Sequence, residues 1–377
     1  MYSRMLKAPK AGSFFLFGPR GVGKTAWLRQ QFPDALFFDL LDSRVQTQLL
    51  AAPHRLGDQV PDGFADWIVV DEIQRVPELL NEAHRLIEAR GLRFVLTGSS
   101  ARKLRRKGVN LLAGRAVTRQ MHPLTATELG ADFNLKRALR FGCLPLACTR
   151  EDPRDYLGAY AATYLREEVQ QEGIARNIAA FSRFLEAASF SQGSVLNMAG
   201  VARECSVSAK TAEAYFDILE DLLLAVRLPV FAKRAKRRMI AHPKFYYFDA
   251  GVFQAIRPQG PLDDPGQIHG PALETLCLQH LRAFNDSHHL GYRLHYWRTA
   301  SGDEVDFVLH GERGLRAFEV KMTQTLRGDD LRGLARFRED FPEARAMLLY
   351  LGTRRWHERG IEIVPFTHGV THLLDFL

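Results

Sequence analysis

Apolar and polar positions change their pattern several times along this chain. Up to about residue 135, short apolar runs such as Phe14–Phe17, Trp67–Val70 and Phe94–Leu96 within the strand Arg93–Thr97 alternate with amphipathic stretches such as Glu78–Ile87. Runs that are apolar at every position suit parallel strands buried on both faces, so this part predicts a parallel sheet covered by helices on both sides. Phe141–Pro145 and Glu151–Arg154 then supply turn and cap signals ahead of helices expected from about Tyr156. From about 193 to 248 the pattern predicts a short helix over Val201–Cys205, a turn at Ser206–Val207, and a second helix capped by Ser208 and running through Tyr215, Leu219 and Leu223. Two apolar strands, Leu224–Val230 and Lys244–Phe248, follow. The rest opens with a helix around Glu274 and continues as strands at Tyr292–Trp297, Val305–Leu309, Leu315–Val320 and Ala346–Leu351, with a helix over Asp329–Arg338. Domain boundaries are therefore expected at 1–140, 141–192, 193–266 and 267–377.

The run Phe14–Phe17 leads into Gly18-Pro19-Arg20-Gly21-Val22-Gly23-Lys24-Thr25, a G-x-x-x-x-G-K-[ST] pattern placed directly after a strand. In such a loop glycines let backbone N–H groups turn inward around a triphosphate, Lys24 reaches the β- and γ-oxygens, and the Thr25 hydroxyl is offered to Mg²⁺. A helix beginning at about Gly23 would aim its positive end at the phosphates. The ligand predicted is ATP or GTP. Trp67–Val70 ends in Asp71-Glu72, which reads as a buried strand whose carboxyl end faces the nucleotide. There Asp71 would hold Mg²⁺ and Glu72 would polarise the attacking water. A helix cap ahead of Ile73–Gln74 is the other reading of these acids, and the two are compatible. The strand Arg93–Thr97 runs into Gly98-Ser99-Ser100, where Ser99, or failing it Thr97, is expected to sense the γ-phosphate or orient water. Arg115, after Leu112-Ala113-Gly114, is either an arginine that reaches a neighbouring subunit's γ-phosphate or a surface salt-bridge partner.

The order of phosphate loop, Asp-Glu strand, Leu-Thr-Gly-Ser-Ser strand, Gly-Arg and Pro123-Leu124-Thr125-Ala126-Thr127-Glu128-Leu129 resembles the prokaryotic AAA-type ATPases. The likeness continues through Lys244–Gly251 and Gly302–Phe307 and so covers most of the chain. It implies ATPase roles for Gly18, Gly23, Lys24, Thr25, Asp71 and Glu72, and a finger role for Arg115. The fold class expected is α/β: a P-loop AAA-type parallel-sheet core followed by a winged helix and a C-terminal α/β nuclease-like domain. The segment 193–266 resembles a winged helix with a positively charged wing, suited either to reading DNA or to serving as a lid or subunit contact. In the last segment, Glu274, Asp306, Glu319 and Lys321 form a constellation with Glu319 and Lys321 on one face of a strand. It resembles the way the PD-(D/E)XK nuclease fold gathers Mg²⁺ ligands and a lysine that stabilises charge, with Lys321 not itself a ligand.

Composition adds bounds. At 377 residues with 46% hydrophobic content the chain is long enough for two or three domains with real cores. No apolar run approaches membrane-spanning length and no secretory h-region opens the chain, so a cytoplasmic protein without a membrane partner is expected. Cys143, Cys148, Cys205 and Cys277 lack metal or disulfide spacing. The net charge of +8 permits nucleic-acid binding, and Lys233–Arg238 and Arg102–Lys107 are the basic runs that would carry it, unless they are solvated loops. The leading expectation is an ATP-hydrolysing switch or motor, homo-oligomeric, with DNA or a protein as its target. Alternatives are a Mg²⁺-dependent nuclease gated by the ATPase core, and a regulatory module that binds without cutting.

Overall fold

The computed structural model of the chain describes residues 2–100, 115–164, 178–232, 242–260 and 265–377. The basic runs Arg102–Lys107 and Lys233–Arg238, and the residues leading to Arg115, lie outside the described residues. The chain forms two compact units, one comprising Ser3–His122 with Asp221–Leu223, the other built mainly from Pro123–Glu220 and Leu224–Leu377.

The first unit is a five-stranded, wholly parallel sheet in the order β2-β3-β4-β1-β5, with β1 Ser13–Phe17, β2 Leu36–Asp39, β3 Trp67–Asp71, β4 Arg93–Gly98 and β5 Ala116–Gln120. Its central strands are apolar at successive positions because both faces are covered. Phe15 and Phe17 join Ile68, Val70, Phe94 and Leu96 in a core shared with Leu79, Leu80, Ala83 and Leu86 of the helix Leu79–Arg90. Phe14 and Trp67 instead meet Phe32, which in turn packs edge-on against Trp27 of the helix Lys24–Gln31. Because β4 lies between β1 and β3, its carboxyl end falls between the phosphate loop and Asp71.

The second unit holds two sheets. A three-stranded antiparallel sheet has the order β6-β8-β7, with β6 Ser194–Val195, β7 Ala225–Leu228 and β8 Lys244–Tyr247. Two helices, Met198–Glu204 and Ala209–Asp221, stand between β6 and β7 in the chain. A six-stranded mixed sheet has the order β13-β14-β12-β11-β10-β9, with β9 Arg293–Arg298, β10 Glu304–Gly311, β11 Gly314–Lys321, β12 Arg345–Tyr350, β13 Trp356–Glu358 and β14 Ile361–Pro365. Here β9, β10 and β11 pair antiparallel, whereas β12 and β14 continue in parallel. Trp297, Val305, Val308, Leu348 and Ile363 of this sheet form a core with Leu334 and Phe337 of the helix Arg332–Asp340. The two short strands β13 and β14 near the end of the chain were not anticipated.

Two sequence features expected to mark a family prove to hold the second unit together. Thr125 caps the helix Ala126–Leu129 in a reciprocal box with Glu128. The N–H of Leu124 donates to the Cys143 carbonyl at 2.8 Å, and Gln279 donates to the Leu124 carbonyl at 2.9 Å. Asp249 caps the helix Ala250–Ile256 through the N–H groups of Gly251 and Val252 and also accepts from Cys143 N–H at 2.8 Å. The Pro123–Leu129 segment is thus tied into the second unit by its own hydrogen bonds.

His280, wholly buried on the helix Pro265–Ser287, accepts at Nε2 from the Ala126 N–H at 2.8 Å, which leaves its proton on Nδ1 facing the Leu276 carbonyl at 2.7 Å. Burial pushes its pKa down from 6.5 to about 4. A group depressed in this way contributes stability that is complete above the unfolded pKa of 6.5 and is lost as pH falls toward 4. We therefore expect the melting temperature to fall over that interval, and His280→Gln to show a shallower fall. Equal slopes in the two proteins would remove His280 as a source of the acid sensitivity.

Candidate functional site

The phosphate loop leaves β1 at Gly18, whose N–H donates to the Gly98 carbonyl at 3.3 Å. A Cβ at Gly18 would meet the Met121 carbonyl oxygen at 2.5 Å, so the close approach of two backbones requires glycine there. Pro19 and Arg20 continue the loop, Gly21 is left-handed, Val22 is buried, and Gly23 is left-handed at φ 95° where the helix Lys24–Gln31 begins. An L side chain at Gly23 would be strained, and this turn is what directs the helix N-terminus inward. Lys24 is buried, its ammonium donating to the Gly18 carbonyl at 2.7 Å and reaching the Pro19 carbonyl at 3.4 Å. Arg4, which sequence reasoning passed over, braces the loop by donating to the carbonyls of Val22 and His122. A lone arginine ahead of β1 carries no signal of that role.

Asp71, at the end of β3 and almost inaccessible, accepts the Thr25 hydroxyl at 2.6 Å and also the Thr97 hydroxyl. The loop and the Asp-Glu strand are therefore joined through one carboxylate. Glu72 is left-handed at φ 61°, a conformation that costs a non-glycine residue about 1–2 kcal/mol. Its N–H donates to Thr97 Oγ1 at 3.3 Å and its carboxylate accepts from the Gln74 amide. The same amide donates to Ser99 Oγ at 3.1 Å. Ser99 and Thr97 both lie at the site, Thr97 against Asp71 and Ser99 linked to Glu72 through Gln74. Neither acid caps the short 3-10 turn Ile73–Arg75 with its side chain. Gln74 was not anticipated, and a glutamine two residues after the acid pair is its only trace in the sequence.

Arg115 stands immediately before β5, which runs parallel to β1 with Ser13 opposite Ala116. It lies level with the start of β1, at the edge of the sheet away from the phosphate loop, and its guanidinium pairs with Glu88 while remaining 40% exposed. Within one chain it does not join the loop.

The C-terminal constellation assembles around a residue to which no role was given. Asp306 on β10 and Glu319 on β11 cross-brace their strands: Val320 N–H donates to Asp306 Oδ2 at 2.9 Å, and Asp306 N–H donates to Glu319 Oε2 at 3.3 Å. Lys321 donates to Glu319 Oε1 at 2.6 Å. Glu274, on the helix Pro265–Ser287, accepts from the Tyr246 hydroxyl at 2.7 Å. Lys244, from β8 and only 2% exposed, enters this group with its ammonium 3.3 Å from Asp306 Oδ1, 4.0 Å from Glu274 Oε2 and in contact with Glu304. Burial works against the charged lysine, but Asp306, Glu274 and Glu304 hold its pKa well above the ordinary value. Burial and the negative charge of Asp306 raise both Glu274 and Glu319. Among the described residues no group of three acids, histidines or cysteines is disposed to hold a metal ion. The expected Mg²⁺ site at Glu274, Asp306 and Glu319 thus does not fit as arranged, because Lys244 supplies the positive charge and N–H or O–H donors already engage the carboxylates.

The five-stranded parallel sheet with its phosphate loop has the architecture of an AAA-type nucleotide-binding core. In agreement, residues 10–130 match the family described as an AAA domain. Residues 132–263 match a domain of unknown function (DUF8612), and residues 269–368 match another (DUF4143). Among solved structures the chain is similar to the ORC1 protein of Aeropyrum pernix in complex with DNA, at 15% identity over 66% of this chain and 87% of that one, with a TM-score of 0.29. It is also similar to protein VC1899 from Vibrio cholerae, at 12% identity over 96% of each chain, with a TM-score of 0.23. Both likenesses are too distant to carry an argument about function. No curated protein matches the sequence. Among the described residues no helix is long and apolar enough to cross a membrane.

The backbone approach at Gly18 gives a direct test of the loop geometry. Gly18→Ala forces its methyl group against the Met121 carbonyl, and overpacking of this kind costs about 1–3 kcal/mol. A lowered melting temperature with weakened nucleotide binding is expected, and unchanged values of both would contradict the geometry.

Proposed function

We propose that the protein binds ATP at the phosphate loop and hydrolyses it with Mg²⁺, acting as an AAA-type switch or motor. The observation that carries this reading is the 2.6 Å contact between the Thr25 hydroxyl and the Asp71 carboxylate, which brings together the two groups such chemistry requires. The residues present fit the ion: Thr25 and Asp71 would hold Mg²⁺, which spreads and neutralises phosphate charge. Lys24 reaches the β- and γ-oxygens in exchange for the loop carbonyls it now faces. Glu72 accepts a proton from the water that attacks the γ-phosphate, ADP leaving with the electron pair of the broken P–O bond. Gln74 holds the Glu72 carboxylate and Ser99 at fixed spacing, and so positions rather than reacts. Arg115 faces away from its own loop and is assigned to a neighbouring subunit's γ-phosphate in a homo-oligomer, or otherwise to its surface pair with Glu88.

We assign the helix pair Met198–Glu204 and Ala209–Asp221 with the β6-β8-β7 sheet to a winged helix, and the mixed sheet to a nuclease-like fold that binds without cutting. The second helix presents Glu213 and Asp217, both gripped by Arg227 of β7 at 2.5 Å, so that face is acidic and unsuited to phosphate. DNA contact is assigned instead to the basic segment Lys233–Arg238.

Lys24→Ala should weaken ATP binding. Glu72→Gln should keep binding but slow turnover by roughly a hundredfold or more. Gln74→Ala should slow turnover by up to about a hundredfold with ATP affinity unchanged, since misplacement of a reacting group acts on the chemical step. ATP titration and steady-state phosphate release measure all three, and wild-type turnover in Glu72→Gln would sink the mechanism.

A further inference from the structure

The acids of the second unit outnumber the ammonium groups among them. Glu274, Glu304, Asp306 and Glu319 converge from one helix and two neighbouring strands, with, among the described residues, Lys244 and Lys321 inside the group and Arg298 reaching Glu304 at 3.2 Å from its rim. Asp306 and Glu319 are buried and Glu274 and Glu304 partly so, and acids gathered this closely repel one another when ionised unless a cation lies between them. The usual answer in an acid cluster of this shape is a divalent ion with oxygen ligands at about 2.0–2.6 Å. Here a side chain gives the answer.

We propose that Lys244 is the permanent cation of this cluster, holding with its ammonium the place a divalent metal ion would take between Glu274, Asp306 and Glu304. Three observations support it. The ammonium meets carboxylates from both β10 and the helix Pro265–Ser287. Its stem descends from β8, whose Tyr246 donates to Glu274, so lysine and tyrosine enter together from one strand. The remaining oxygens are occupied by donors of the chain itself, Asp306 Oδ2 by Val320 N–H and Glu319 by Asp306 N–H and Lys321. An ammonium 3.3 Å from Asp306 Oδ1 takes up that oxygen and repels an ion of like sign. The consequence is a docked pair of sheets, with β8 fastened onto β10, and a nuclease-like frame without its metal. This rests on geometry in the second unit alone and stands whether or not the phosphate loop hydrolyses ATP.

The test uses the full chain without nucleotide, so that the phosphate loop contributes no metal site, and Mn²⁺ as the probe. Wild-type protein should take up no stoichiometric Mn²⁺ by electron paramagnetic resonance and should gain no melting temperature from it. Lys244→Met, which keeps an unbranched stem but removes the charge, should acquire one Mn²⁺ per chain and recover melting temperature when the ion is added. Lys244→Met with Asp306→Asn should lose that site. Stoichiometric Mn²⁺ on wild-type protein that Asp306→Asn removes would overturn the proposal, as would a folded Lys244→Met protein that binds none. Should Lys244→Met fail to fold, the wild-type and Asp306→Asn measurements decide alone: uptake that Asp306→Asn removes overturns the assignment, and its absence upholds it.

Discussion

The first unit depends on one carboxylate. Asp71 accepts hydroxyls from Thr25 on the helix after the phosphate loop and from Thr97 on β4, so three successive pieces of the sheet's upper edge meet on it. With β4 between β1 and β3, Thr97 at the end of β4 lies between the phosphate loop and Asp71, in a sheet whose strands are apolar because both faces are covered. A buried carboxylate held by hydroxyl donors is costly to disturb, since removing either donor leaves one of its oxygens without that hydrogen bond. The same edge carries Gly98, whose carbonyl anchors Gly18, and Ser99, which Gln74 couples to Glu72. Loop, acid pair and strand end therefore respond to one another.

The second unit depends on the opposite arrangement, a buried cation among carboxylates. Lys244 occupies the centre that Asp71 occupies in the first unit, and each has partners of the opposite hydrogen-bonding character within reach. The contrast separates the two sets of acids by chemistry. Asp71 and Glu72 face hydroxyls and an amide of side chains around the phosphate loop. Asp306 and Glu319 face backbone N–H groups and lysines that belong to the fold.

Much of this was legible from local pattern. The strands around Phe15, Val69 and Val95 and the helix around Leu80 and Ala83 were readable because burial on both faces, or at helical spacing, leaves a periodic trace. The phosphate loop was legible because its glycines are demanded by backbone approach, which Gly18 against Met121 illustrates. Asp306 lies on β10 and Glu319 and Lys321 on the neighbouring β11, the last two at the period-two spacing visible in the sequence. What they surround was not legible. Lys244 opens an apolar strand far away in sequence, and its partners are fixed by how two sheets meet, which no local pattern records. The Thr125–Glu128 box was present as a capping signature, yet its tie to the second unit runs through His280 at a separation of 154 residues. Arg4 and Gln74 went unread for a like reason, as each bridges two neighbours brought together by the fold and belongs to no motif.

The central claim is that Asp71 and Thr25 form the place where Mg²⁺ joins ATP to the protein. Calorimetric titration of ATP with and without Mg²⁺, on wild-type and Asp71→Asn protein, tests it most directly. Mg²⁺ should tighten ATP binding by about tenfold or more in wild-type protein, a gain of about 1.4 kcal/mol. Asp71→Asn should bind metal-free ATP as before and lose that gain. Equal affinity with and without Mg²⁺ in wild-type protein, or an undiminished gain in Asp71→Asn, would contradict the account.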